Sequence, residues 1–192
     1  MVLKSKKDYY ELIDKVVKEG NAVNATFELV GKGLTTRLMS TAEVIELFDI
    51  DTNILDTFIK AISNFEETKV GPYITEKYFL LIPDLKEAVS QLKHDCIESR
   101  RCVIAFPKEH CFQSIQFLVR ENTINVVCFM RSCDMIKNLP YDLWLCSFLA
   151  DMFAHYMESA GIYTGKTYER HKITMSFGSL HAYREDIING VF

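Results

Sequence analysis

A chain of 192 residues, 48% apolar and 12% aromatic, can bury one sizeable core, which predicts a single domain over residues 1–192. Its net charge of −4, with lysines and acids intermixed, argues against a general nucleic-acid binder and leaves room only for a local anion site. No apolar run nears the ~20 residues that span a membrane, and six cysteines without CxxC pairs point away from structural zinc or a disulfide framework, so the expectation is a soluble, cytoplasmic protein with reduced thiols, no metal, no membrane and no signal peptide in MVLKSKKDYYE.

Along the chain, Tyr9, Leu12, Ile13, Val16 and Val17 recur at helical spacing, and Gly20 stops that helix. Residues 25 to 39 read as strand and turn, with Gly31 and Gly33 as breakers. Ser40 or Thr41 can cap a helix carrying Val44, Ile45, Leu47 and Phe48. A second helical stretch runs from Ile54 to Phe65 and ends before Gly71-Pro72. Leu85, Ala88, Val89 and Leu92 mark another amphipathic helix, and CVIAF (102 to 106) reads as a buried strand. SIQFLVREN and TINVVCFMRS are β-rich and joined at Glu121-Asn122, which predicts a hairpin. Leu145, Phe148, Leu149, Met152, Phe153 and Tyr156 form a long buried helix starting near Leu143, and KITMSFGSLHAY forms one more strand. Helices packed around a mixed sheet, an α/β (α+β) class, is the resulting prediction.

One stretch breaks the apolar pattern. CFMRSCDMIKNLPYD (128 to 142) carries Arg131, Ser132 and Asp134 and ends on Asp142 before the long helix. It has company. DYYELIDKVVKEG, QLKHDCIESRRCVIAF, HCFQSIQFLV, RSCDMIKNLPYDLW and FGSLHAY occur in this order, and from Gln91 to Tyr183 their order and nearly all spacings resemble those of thymidylate synthase and its relatives, the deoxynucleotide hydroxymethylases. The resemblance implies that family's mixed sheet with packed helices, shortened at the N-terminal loop and at the C-terminus.

The resemblance also implies roles. Cys111, followed five residues later by Gln116, matches the nucleophilic cysteine, a soft thiolate that adds to C6 of a pyrimidine and makes C5 carbanion-like. The family's usual histidine after that cysteine is Phe112 here, with His110 on the other side. Arg131 and Ser132 match the groups that bind the nucleotide phosphate, and Arg100 and Arg101 match the pair that reaches it from the other subunit of a homodimer. Guanidinium forks suit phosphate oxygens. Asp134 matches a backbone contact to the base region. His181 and Tyr183, two apart on a strand and so on one face, match the contacts to the sugar hydroxyl. Ser179 stands where the family usually has aspartate, and Arg37 is a weak candidate for a further phosphate contact.

Asp142 takes the place of an asparagine whose amide pairs with uracil. A carboxylate accepts from the amino group of cytosine and opposes the O4 acceptor of uracil, so aspartate marks the cytidylate hydroxymethylase branch. Helix capping is the competing reading of Asp142. For the glutamate that moves protons, EVIELFDIDTNI aligns without a gap on Glu43, and with a gap on Glu46. The implied one-carbon donor is 5,10-methylenetetrahydrofolate and the implied substrate is a pyrimidine nucleoside monophosphate, dCMP. Trp144 is the chain's one tryptophan, and looser exclusion of water favours hydroxymethylation over methylation. Methylation of dUMP and a non-catalytic, nucleotide-binding regulatory role are the alternatives.

Overall fold

The computed structural model describes residues 1–37, 39–48, 50–64, 69–70, 73–74, 81–121, 123–162 and 172–190. In chain order its elements are α1 (Lys6–Glu19), β1 (Asn21–Val23), β2 (Thr26–Arg37), α2 (Thr41–Phe48), α3 (Thr52–Asn64), β3 (Lys69–Val70) and β4 (Tyr73–Ile74). There follow α4 (Leu81–His94), β5 (Val103–Ala105), β6 (Phe112–Arg120), β7 (Thr123–Asp134), α5 (Leu139–Ser159), β8 (Lys172–Tyr183) and α6 (Arg184–Ile188). Helices and a mixed sheet of six strands, ordered β1-β2-β8-β7-β6-β5, make this an α/β fold.

The first two helices start on local hydrogen bonds. The Ser5 hydroxyl accepts from Asp8 N–H at the head of α1, and Gly20 ends it. Ser40 and Glu43 form a reciprocal box at the head of α2: Glu43 N–H donates to the Ser40 hydroxyl at 3.3 Å, while Ser40 N–H donates to the Glu43 carboxylate at 2.8 Å. The β6–β7 hairpin turns through Glu121 (φ 49°), and Asn122 lies outside the described residues, as do Phe65 and Gly71-Pro72.

β7 and β8 run parallel, joined by α5, and every other neighbouring pair in this sheet is antiparallel. One face of the sheet is the core. Ile115, Phe117, Val126, Cys128, Met130, Ile173, Met175 and Phe177 point into it, and α5 lies on it with apolar residues on nearly every side, as a helix enclosed by α2, α4 and the sheet requires. Phe117 stacks on Phe153 of α5 with ring centres 4.5 Å apart. The opposite face is open: Val30 (63% exposed), Phe129 (48%) and Val103 (45%) stand on it among Ser114, Gln116, Thr174 and Ser176.

Three expectations are corrected. Gly31 and Gly33 do not break β2, which pairs with β8 from Thr26 to Arg37 because that pairing satisfies its backbone groups. CVIAF is a three-residue edge strand with only Ile104 of β5 buried. α5 begins at Leu139, with Pro140 in its first turn where no N–H is needed, so Asp142 lies within that turn and is not the cap.

Arg131, Gly178 and Gly31 form one row across β7, β8 and β2 where the ladders skip a pair. A side chain at Gly178 would lie 2.6 Å from the Arg131 carbonyl oxygen, and Gly31 has φ +64°. Beyond this row the inward-facing residues change parity, from Met130 to Cys133, Phe177 to Leu180 and Leu34 to Leu29. The kink therefore re-aims the last residues of β7 and β8 and the first residues of β2.

Candidate active site

The re-aimed strand ends meet the loop before β6. Arg131 N–H donates to the Cys111 carbonyl at 2.8 Å, and Cys111 Sγ lies 3.7 Å from Ser132 Oγ. Cys111 is exposed, as an attacking thiol must be. Arg131 is also exposed, and one guanidinium nitrogen donates to the Lys108 carbonyl at 3.0 Å. That bond arches the side chain over the loop carrying the thiol. Phe112 is fully buried and packs on Phe106 with ring centres 5.6 Å apart, so the residue after the thiol serves the core. His110 is buried beside the same ring.

One residue past Ser132 the strand turns inward. Cys133 is buried, and its thiol donates to Asp142 Oδ2 at 3.3 Å. Asp142 is only 3% exposed. Burial, followed by the charge and acceptance of Asp142, pushes the Cys133 thiol well above its ordinary range. Two side-chain pairs thus lie on successive residues of β7: Ser132 meets the Cys111 thiol, and Cys133 meets the Asp142 carboxylate.

The turn after β7 is tied from three sides. Asp134 Oδ1 accepts from Ile136 N–H (3.0 Å) and Lys137 N–H (3.1 Å), so its side chain shapes the turn and its backbone stays with the strand. The Tyr9 hydroxyl donates to the Met135 carbonyl at 2.9 Å, and burial raises the Tyr9 pKa. Met135 N–H donates to the His181 carbonyl at 2.8 Å. Lys137 pairs with buried Asp186 at 2.8 Å and sits 5.3 Å over the Tyr183 ring. His181 and Tyr183 share a face, with their rings edge-on at 5.6 Å.

Arg100, Arg101 and Gln116 stand apart from the thiol. The Gln116 amide donates to the Arg100 carbonyl at 2.7 Å, bracing the segment before β5 against the open face. Arg101 pairs with Asp95 at 3.3 Å on the surface. Within one subunit neither arginine meets Arg131.

Glu43 is not brought to Cys111 either. Its carboxylate holds the head of α2 and pairs with Arg37, and these contacts, led by the Ser40 N–H, lower its pKa. Arg37 faces Lys172, and Lys172 faces Asn125, at the end of the sheet away from Arg131. The six residue steps along β7 from Asn125 to Arg131 span about 20 Å. Glu46 lines the same 350 Å³ recess as Glu43, so both assignments of the proton-moving glutamate fail to place a carboxyl at the thiol.

A cavity of about 810 Å³ lies at that far end too, lined among others by Lys4, Arg37, Arg120 and Lys172. Its lining residues include no cysteine, so the thiol and its neighbours are the better site. Sequence reading missed Cys133 and Tyr9: a cysteine inside RSCD and a tyrosine in a first helix carry no signal until the fold sets them against Asp142 and Met135. No helix among the described residues is long and apolar enough to cross a membrane.

A family model described as "Thymidylate synthase" matches residues 76–189, more than half of the chain, and takes in each candidate above except Glu43, Glu46 and the N-terminal residues. Among curated proteins, none matches the chain.

Proposed function

The chain belongs to the thymidylate synthase family of folate-dependent one-carbon transferases acting on pyrimidine nucleotides, and on that premise we propose that it hydroxymethylates C5 of a cytosine nucleotide, dCMP. The observation that carries the choice of base is Asp142, a buried carboxylate linked through Cys133 to the strand residue beside the thiol. A carboxylate is an acceptor, and the exocyclic amino group of cytosine is a donor where uracil offers another acceptor. A mispaired buried polar group costs about 1–3 kcal/mol, enough to separate the two bases by ~10–100-fold.

In this reading Arg131 and Ser132 hold the phosphate, His181 and Tyr183 hold the sugar hydroxyl, and the backbone at Asp134 touches the base. The Cys111 thiolate adds to C6. The resulting C5 nucleophile attacks the methylene of 5,10-methylenetetrahydrofolate, which enters as the second substrate. Loss of the C5 proton expels tetrahydrofolate and leaves an exocyclic methylene. Water adds to that carbon, the Cys111–C6 bond breaks, and the thiolate is regenerated, with no net oxidation. Cys111 is exposed, so a second substrate can reach a base seated against it.

We further propose a homodimer through the open sheet face. Exposed Val30, Val103 and Phe129 give that face an apolar centre, and Gln116 braces Arg100 at its border. A two-fold axis that swaps the strand ends would carry Arg100 and Arg101 of one subunit to Arg131 of the other. The deciding experiment incubates purified protein with dCMP, CMP or dUMP plus methylenetetrahydrofolate and identifies the product by mass. 5-Hydroxymethyl-dCMP is the expected product. A methylated product from dUMP would establish the methylase alternative, and nucleotide binding without any product the regulatory one.

A further inference from the structure

The base-reading carboxylate is not held by its own helix alone. Asp142 lies in the first turn of α5, and the group that reaches it from the sheet is the Cys133 thiol, at 3.3 Å from Oδ2. The backbone of Cys133 is fixed on both sides. Ser132 before it pairs with Ser179 of β8, and Asp134 after it pairs with His181 and closes the turn with its carboxylate. The parity change at the kinked row is what turns Cys133 inward; without it this side chain would point to the open face. The thiol is fully enclosed, and burial beside a carboxylate keeps it protonated, so it is a constant donor.

We propose that Cys133 is a positioning residue for base selection: its S–H fixes the Asp142 carboxylate in the orientation that accepts the cytosine amino group, and ties that orientation to the strand carrying Ser132. The inference rests on the reading of Asp142 as the base-selecting group. Losing this donor removes the one hold on the carboxylate that comes from residue 133 of β7, and discrimination between an amino group and a carbonyl weakens with it. Serine at 133 keeps a donor on the same carbon. Alanine and valine remove it, and valine keeps nearly the volume of cysteine.

The test measures equilibrium binding of dCMP and dUMP to full-length wild type, Cys133→Ser, Cys133→Ala and Cys133→Val, with thermal unfolding alongside. The serine variant is expected to keep the dCMP:dUMP ratio within about threefold, and the two donor-free variants to lose roughly tenfold of it. Should alanine fail to fold, valine supplies the donor-free measurement. Equal ratios in the serine and donor-free variants would overturn the role of the thiol. Asp142→Asn separates the two failures: a ratio that moves in Asp142→Asn and stays fixed in Cys133→Val sinks this inference alone, while a ratio fixed in both sinks the reading of Asp142 as well.

Discussion

The two ends of the central sheet offer opposite combinations of space and chemistry. At the end near Lys172, Arg37 and Arg120, a cavity of about 810 Å³ opens, and in the recess beside it Glu43 is spent on capping α2 and pairing with Arg37. At the other end the exposed Cys111 thiol, in the loop before β6, meets Ser132 of β7 next to Arg131, and the buried Asp142 carboxylate lies in the first turn of α5. Volume and reactivity are thus separated within the chain. Groups already satisfied by one another have little left for a substrate, whereas an exposed thiol beside a serine hydroxyl is open to one.

The sharpest way to break this contrast is at the thiol. Cys111→Ser is expected to reduce product formation by at least about a thousandfold while dCMP still binds, because only the covalent step needs the sulfur. A serine variant that turns over substantially would move the chemistry elsewhere, the far end included. Next in size is subunit complementation. Arg101→Ala and Cys111→Ala proteins, each inactive, should on exchange form mixed dimers with one intact site, restoring up to about a quarter of wild-type activity. Verified exchange without recovery would remove Arg101 from the partner's site.

Smaller is the effect of Asp142→Asn, for which the dUMP:dCMP ratio of kcat/KM should rise by ~10–100-fold, or about 1–3 kcal/mol. The helix should barely notice, because Asp142 does not cap it. A flat ratio would leave the cytosine assignment without its main support. The smallest effect belongs to the far end. Glu43→Gln keeps the capping geometry and loses the charge, so stability should fall by about 1 kcal/mol or less and turnover should hardly change. The folded-state pKa of Glu43 is lowered, so its contribution is present above the unfolded carboxylate pKa and fades as pH falls through the lower folded value. Chemical-denaturation curves between neutral and strongly acidic pH should therefore converge for wild type and variant. A turnover loss of a hundredfold in a folded Glu43→Gln protein would instead mean that α2 swings toward the thiol during catalysis.

Much of this was legible beforehand where the signal is local. Gly20 ended α1, Ser40 began α2, and KITMSFGSLHAY matched β8 residue for residue. The resemblance also implied that Arg131 lies near Cys111, and the Arg131 N–H does meet the Cys111 carbonyl. Pairing partners, by contrast, are not written in a strand's own residues. Gly31 and Gly33 looked like breakers because glycine weakens an isolated strand, but β8 supplies β2 with eleven partners. Glu43 aligned with a proton-moving residue by sequence alone, and only the position of Ser40 and Arg37 in space shows what its carboxylate does. Cys133 was invisible for the same reason. Its value depends on a helix that begins six residues later.

The close passage of Gly178 against the Arg131 carbonyl, with no room for even a methyl group between them, makes an absent side chain part of what positions Arg131. Any larger residue at 178 must push the strand that carries Arg131 and Ser132. The constraint falls on position 178 alone, 47 residues away in sequence, because what it meets at 131 is backbone. Attempts to redesign the specificity of this protein at its surface-facing groups will be limited by a backbone contact that offers nothing to mutate except the space itself.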